Sequence, residues 1–236
     1  MSSRQEEKER RRQERLAQEQ AEARSAGRRK RLQLAFGGVL ALALVAGIVL
    51  AVVLSTGSGG GDGPTQPGDS TTAAVKLPVQ AVSDIEDAAK AASCKLTNPA
   101  FEGTTHETKA FKASDYKTNP PTSGNHAPDW YEDGIYAPGD VPDLGKTIHP
   151  LEHGRIIVQY KPGTPETTVS ELEALLAESE DGYHMMLFEN STGMTPQVAA
   201  TAWTHSLTCD TMNPKVFDAI RTFRTRYIDK GPETVP

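Results

Sequence analysis

Apolar and polar residues follow three different patterns along the chain. Residues 32–54 form an apolar run of 23 residues without a charged side chain, in which Gln33 is the one strongly polar member. As a helix this run would extend about 34 Å, enough to cross a hydrocarbon core of about 30 Å. Residues 55–75, rich in Gly, Ser, Thr, Asp and Pro, show no apolar periodicity and are predicted to form a flexible linker. From residue 76 onward, apolar residues recur with the spacing of strands and helices.

The pattern after the linker predicts an α+β domain in which helices pack on a small sheet. Apolar and β-branched residues predict three strands, over 155–160, 183–189 and 197–209. Helical spacing predicts three helices, over 81–93, 165–181 and 213–229. The last of these helices gathers its apolar residues on one stripe, formed by Val216, Phe217, Ile220, Phe223 and Tyr227.

Residues 97–150 are rich in Pro and Gly and show little periodicity, which predicts a long irregular loop. Irregular segments of this length within a domain are usually functional or poorly ordered. The strand that begins at Arg155 leaves room for at most one helical turn before it. The loop contains Trp130, Tyr131 and Tyr136, which could form a binding surface for an extracellular peptide or carbohydrate, or could pack beneath the loop.

Charge is distributed unevenly on the two sides of the apolar run. Residues 1–31 carry 11 basic and 6 acidic side chains, whereas residues 55–75 contain neither Lys nor Arg. The positive-inside rule therefore predicts a cytoplasmic tail at 1–31, a single membrane-spanning helix at 32–54 and an extracytoplasmic domain at 76–236. A cleaved signal peptide is the competing interpretation, but its apolar region would be about 7–15 residues long and followed by a small-x-small cleavage site.

Composition also limits the partners and the redox state of the outer domain. Residues 76–236 contain 14 basic and 23 acidic side chains, a net charge of −9, which argues against binding to nucleic acid or anionic lipid. The two cysteines of the chain, Cys94 and Cys209, both lie in this domain. In an oxidising compartment they are predicted to form one disulfide, and the alternative is a pair of buried free thiols.

Several motifs of the outer domain resemble one known family. They are NPPTSGNH at 119–126, GIY at 134–136, HPLEHG at 149–154 before an apolar strand, and AATAW at 199–203. Over about residues 92–233 the chain resembles a bacterial, largely actinobacterial family of domains of unknown function, numbered 3105. The resemblance implies a membrane-anchored protein with an outer domain and brings no established activity.

The HPLEHG motif raises the question of metal chemistry. His149, Glu152 and His153 match the H-x-x-E-H pattern of inverted zinc peptidases, in which both imidazoles project from one helical face. Pro150 and the strand that follows Gly154 leave too little helix for such an enzyme. The peptidase interpretation is therefore disfavoured.

A metal site without peptidase chemistry is the stronger form of this hypothesis. His126, His149 and His153 are predicted to meet at the end of the sheet, with Glu152 or water completing the coordination and His106 as a further ligand. Three imidazole nitrogens suit zinc or copper. The alternative is that these histidines only hydrogen-bond the proline-rich loop and hold it in place.

Together these expectations describe a membrane-anchored extracytoplasmic module in which binding is favoured over catalysis. No catalytic residue is assigned. Two alternatives stay open, a metal-dependent hydrolase with Glu152 as general base and a metal-free module that binds a cell-envelope partner.

Overall fold

The computed structural model describes residues 75–140, 142–179 and 182–233. The predicted cytoplasmic tail, the membrane-spanning helix at 32–54 and nearly all of the linker lie outside these residues. No helix within the described ranges is long and apolar enough to cross a bilayer.

The described residues form four α-helices and six β-strands. The helices are α1 Ile85–Ala92, α2 Leu144–Glu152, α3 Glu166–Ala177 and α4 Val216–Tyr227, with a short 3-10 helix at Ala113–Asp115. The strands are β1 Cys94–Thr97, β2 Gly134–Ile135, β3 Ile156–Tyr160, β4 Met185–Glu189, β5 Val198–Ala202 and β6 His205–Cys209. All six strands belong to one sheet in the order β1-β6-β5-β3-β4-β2. Strands β2 and β3 run parallel to β4, while the other neighbours are antiparallel, so the predicted α+β class is confirmed.

One face of the sheet is covered by α1, α3 and α4, which bury a continuous apolar core. Alternate residues of the central strands point into this core, as the two-residue period of a strand requires. In β3 they are Ile156, Val158 and Tyr160, and the two neighbours between them face the other side. The predicted stripe of α4 is confirmed from Val216 to Phe223, because its apolar members are buried against the sheet.

The opposite face of the sheet carries α2 and the segment between β1 and α2, residues 98–143, which we call the proline-rich loop. Ile157 and Met186 of the central strands pack there against Ile148 and Leu151 of α2, together with Trp203. This second core is smaller than the first, and polar side chains lie buried beside it.

A disulfide joins the two strands at the β1 edge of the sheet. Cys94 pairs with Cys209 in the antiparallel register of β1 and β6, and their sulfur atoms are bonded as predicted. The cross-link spans a sequence separation of 115 residues. In the chain-entropy model, closing a loop of that size stabilises the folded state by roughly 4–5 kcal/mol.

Two predictions of local structure were wrong. Residues before β3 form the nine-residue helix α2, with Pro150 inside it, where at most one turn was expected. The helix tolerates the proline because Ile148 and Leu151 are buried in the second core and Asp143 caps its first turn through Gly145 N–H. The segment 197–209, predicted as one strand, is a hairpin of β5 and β6 that turns at Trp203 and Thr204.

Candidate metal centre

Two segments from different parts of the chain meet above the second face of the sheet. His149 and Glu152 are three residues apart on α2, so they project from the same side of the helix. His106 and His126 lie in the proline-rich loop, where an isolated parallel bridge holds them side by side. In that bridge His126 N–H donates to the Thr105 carbonyl over 3.1 Å, and Glu107 N–H donates to the His126 carbonyl over 2.8 Å.

These four side chains converge into one group, which we call the histidine cluster (His106, His126, His149 and Glu152). Each offers a ligand atom, and the four atoms lie within 4.8 Å of one another. His126 is fully buried and His149 and Glu152 nearly so, whereas the side chain of His106 is 41% exposed. Solvent therefore reaches the cluster from the side of His106.

Hydrogen bonds to the backbone fix the orientation of the two inner imidazoles. Nδ1 of His126 lies 2.8 Å from the carbonyl oxygen of Gly124, and Nδ1 of His149 lies 2.9 Å from that of Ala127. A carbonyl oxygen can only accept, so Nδ1 carries the proton in both rings and Nε2 presents its lone pair to the cluster. This is the arrangement found in metal-ligating histidines, whose second nitrogen donates to a carbonyl or carboxylate.

The centre of the cluster is short of hydrogen-bond donors. Nε2 of His126 lies 3.0 Å from Oε2 of Glu152, a distance typical of an ion pair. Yet both atoms are buried without a hydrogen-bond partner, because the proton of the neutral ring is on Nδ1. Two acceptors this close need a cation or an additional proton between them.

Burial also sets the charge states within the cluster. Desolvation lowers the pKa of His126 and of His149, so both rings are favoured in the neutral form that binds metals. Desolvation raises the pKa of Glu152, and the nearby Glu233 raises it further. The cluster thus offers two neutral inner imidazoles and one buried carboxylate whose ionisation is disfavoured by desolvation.

His153, which was predicted as a ligand with His149, lies outside the cluster. The two rings are adjacent, with centroids 4.5 Å apart. However, α2 ends at Glu152, and His153 is its C-terminal cap, with Nε2 facing Oε2 of Glu233 at 3.5 Å. The H-x-x-E-H arrangement of a peptidase is therefore absent from the cluster, because Glu152 joins His149 while His153 does not.

The three aromatic residues of the loop do not share one exposed surface. Trp130 is 41% exposed, and its ring lies 4.8 Å from that of His149 and 5.0 Å from that of His153. Tyr136 is a buried core residue whose hydroxyl donates to the Glu132 carbonyl over 2.6 Å, and Tyr131 packs on it edge to face. Of the three, only Trp130 offers a largely accessible face beside the cluster.

The remaining histidines have other partners. Nδ1 of His184 lies 2.6 Å from Oδ1 of Asp229, and Nδ1 of His205 lies 2.7 Å from Oδ1 of Asn98. Sequence reasoning missed three contributors to the site, the carbonyls of Gly124 and Ala127 and the carboxylate of Glu233. Backbone carbonyls leave no signal in a sequence, and Glu233 is separated from the motif by about half of the domain.

The fold and the cluster define an α+β domain with a buried histidine–glutamate group that has the ligands to hold a metal ion. The chain belongs to the family described as protein of unknown function (DUF3105), which matches residues 107–235, and the predicted family is confirmed. The matched span includes His126, His149 and Glu152 and begins one residue after His106. No curated protein and no solved structure matches the chain.

Proposed function

We propose that this domain binds one transition-metal ion, zinc or copper(II), through His106, His126, His149 and Glu152. The observation that carries the proposal is the pair of buried, unpartnered acceptors, Nε2 of His126 and Oε2 of Glu152. Leaving a polar group buried without a partner costs about 1–3 kcal/mol, and more when it is charged. A cation between the two atoms removes that cost for both.

A purely structural role for these histidines explains less of the geometry. Histidines that only support a loop would be expected to use both ring nitrogens where they are buried. His126 uses Nδ1 alone and directs Nε2 at a carboxylate that has no donor to offer. The alternative therefore accounts for the outer hydrogen bonds and not for the centre.

Two of the distances from Glu152 suit a small ion with nitrogen and oxygen ligands, and the four ligand atoms, which lie within 4.8 Å of one another, would have to draw closer together to coordinate it. Ligands about 2.0–2.1 Å from a tetrahedral zinc ion are separated from one another by roughly 3.3 Å. Oε2 of Glu152 lies 3.0 Å from Nε2 of His126 and 3.5 Å from Nε2 of His106, which brackets this value. Imidazole nitrogens are suitable ligands for both zinc and copper(II).

We further propose that the domain works on the outer side of a membrane, anchored by the apolar run at 32–54. The proposal is supported by the charge asymmetry around that run and by the Cys94–Cys209 disulfide, since disulfides persist in oxidising compartments. Protease added to intact cells is expected to remove the domain. A domain that stays intact under conditions that digest it in lysed cells would contradict the orientation.

Elemental analysis of the full chain, purified without a histidine tag, tests the metal site directly. About one equivalent of zinc or copper should remain bound after dialysis, and His106→Ala and Glu152→Gln should reduce it. His205→Gln serves as the matched control, because that ring lies outside the cluster.

Fluorescence supplies a second readout. The two tryptophans of the chain flank the cluster, with Trp130 4.8 Å from the His149 ring and Trp203 6.2 Å from the His126 ring. Copper(II) bound in the cluster should quench both. The proposal fails if the protein retains no metal and neither its fluorescence nor its melting temperature responds to Zn²⁺ or Cu²⁺.

A metal-dependent hydrolase is a second candidate, favoured by the solvent access at His106. A metal held by the three histidines could bind a water molecule on the solvent-exposed side, at His106. That water could attack a substrate, with Glu152 acting as the general base. Hydrolysis of peptides or esters that is lost in Glu152→Gln while metal stays bound would select this function. Loss of metal in the same variant would instead identify Glu152 as a ligand.

A further inference from the structure

The last described residues of the chain return to the end of α2. We call residues 229–233 the C-terminal strap. Asp229 N–H donates to the Gly154 carbonyl over 2.9 Å, and Glu233 N–H donates to the Glu152 carbonyl over 3.1 Å. The strap is therefore tied to the backbone of the segment that supplies Glu152 to the histidine cluster.

A glycine in the strap permits this close approach. A Cβ atom at Gly231 would collide with the backbone of Glu152 and of Gly154. Asp229 fixes the other end of the strap through the 2.6 Å contact between its Oδ1 and Nδ1 of His184. The position of Glu233 beside the cluster is thus determined by backbone packing and not by a flexible tail.

His153 lies under the strap and faces Glu233 through its Nε2. Its side chain is 3% exposed, its Nδ1 is buried without a hydrogen-bond partner, and Nε2 lies 3.5 Å from Oε2 of Glu233. That separation is long for an N–H···O hydrogen bond, which is usually 2.7–3.2 Å. A buried histidine that had only a structural role would be expected to form such a bond.

We propose that Nε2 of His153 and the carboxylate of Glu233 form a second, outer position for zinc or copper(II) beside the histidine cluster. The inference rests on the proposed function, because the outer ion would lie next to an ion held by the cluster. The 3.5 Å separation is close to the roughly 3.3 Å expected between two ligands of one tetrahedral ion.

The two positions differ in ways that predict their order of filling. The cluster offers four protein ligands, whereas the outer position offers two and completes its coordination with water. The carboxylate of Glu233 is 52% exposed, so an ion reaches the outer position directly from solvent. The cluster should therefore bind first and more tightly.

Equilibrium dialysis of the full chain against Cu²⁺ or Zn²⁺ at pH 7, followed by elemental analysis, tests the outer position. The wild type should bind two equivalents, with the second at least 10-fold weaker than the first. Glu233→Gln and His153→Gln should each bind one equivalent with the tighter affinity retained. Glu166→Gln, which changes an exposed carboxylate on α3, is the matched control and should bind two.

Copper(II) adds a geometric readout. The rings of His149 and His153 are 4.5 Å apart, so two copper(II) ions should couple magnetically and broaden the electron paramagnetic resonance spectrum. Glu233→Gln should restore the spectrum of an isolated ion.

Each result separates this inference from the function on which it rests. One equivalent in the wild type that is insensitive to Glu233→Gln but lost in His126→Ala overturns the outer position and leaves the cluster site standing. One equivalent lost in Glu233→Gln but kept in His126→Ala supports the outer position and overturns the cluster. No bound metal overturns both.

Discussion

The two faces of the sheet bury different kinds of side chain, although the same strands form both. On one face, α1, α3 and α4 bury a continuous apolar core. On the other face, α2 and the proline-rich loop bury His126, His149 and Glu152 next to a smaller apolar core. The first face is covered by three helices with regular apolar periodicity. The second is covered by α2 and by a loop with little regular structure.

The two faces differ in how burial affects the stability of the fold. Apolar burial is non-directional and stabilises the fold in proportion to the area removed from water. Buried polar atoms gain only when their partners are in place, and Nε2 of His126 and Oε2 of Glu152 have none within the described residues. The second face therefore carries the position at which we propose that a metal ion binds.

The largest expected loss of stability comes from truncating the apolar face. Phe223 is a fully buried side chain of α4, so Phe223→Ala should lower the free energy of unfolding by about 3–5 kcal/mol. The affinity of the folded protein for metal should not change, since the residue lies across the sheet from the cluster. Chemical unfolding and metal titration below the transition measure the two quantities.

Thr167→Ala on α3 provides the control for this variant, because it changes an exposed helical side chain. Its effect on stability should stay within about 0.5 kcal/mol. A large fall in metal affinity for Phe223→Ala, measured on fully folded protein, would show that the two faces are not independent.

Sequence patterns described the apolar face better than the other. Periodicity located α1, α3, α4, β3 and β4, because each of these elements presents one regular apolar side to the core. The hairpin of β5 and β6 was missed because Thr204 turns with φ of +60° where Gly, Asn or Asp usually signals a turn. Helix α2 was missed because Pro150 lies within it and only tertiary packing makes the helix favourable.

The site was foreseeable in its residue types and not in its geometry. His106, His126, His149 and Glu152 were all candidate ligands, the last two from the H-x-x-E-H pattern and the first two as histidines of the proline-rich loop. The bridge that places His106 beside His126 involves irregular backbone, for which no periodicity exists. His153 was expected in the same shell, but the end of α2 directs it towards Glu233, a residue 80 positions further along the chain.

Acid should weaken the polar face over a defined pH range. His153 has an ordinary pKa of 6.5, which burial lowers to about 4 in the fold, so the unfolded chain takes up a proton first. The free energy of unfolding is therefore unaffected by this group above pH 6.5. It falls as the pH drops from 6.5 towards 4, at up to about 1.4 kcal/mol per pH unit. His153→Gln should therefore make the metal-free protein less sensitive to acid in this range.

Urea unfolding of chelator-treated protein at intervals from pH 7.5 to pH 4.5 measures the effect. The difference between wild type and His153→Gln should shrink or reverse as the pH falls. Thr167→Ala again serves as the control and should follow the wild-type curve. Parallel curves for wild type and His153→Gln would show that this ring titrates normally.

The smallest expected change in stability is a gain, which we expect for Glu152→Gln in the metal-free protein. The amide of glutamine can donate to Nε2 of His126, which the carboxylate 3.0 Å away cannot do when ionised. At pH 8 the variant should be more stable than the wild type by about 1 kcal/mol. It should also bind metal about 100-fold more weakly or worse, because a charged ligand is lost.

The pH dependence of this gain identifies its cause. Burial raises the pKa of Glu152 above its ordinary value of 4.5. Ionisation of this carboxyl therefore destabilises the fold as the pH rises above 4.5. The advantage of Glu152→Gln should thus shrink as the pH falls towards 4.5, because the wild-type side chain takes up a proton that it can donate to His126. Glu166→Gln removes a charge from an exposed position and should show no such dependence. A Glu152→Gln variant less stable than the wild type at pH 8 would mean that the carboxylate already has a donor in the empty site, and the need for a cation would be gone.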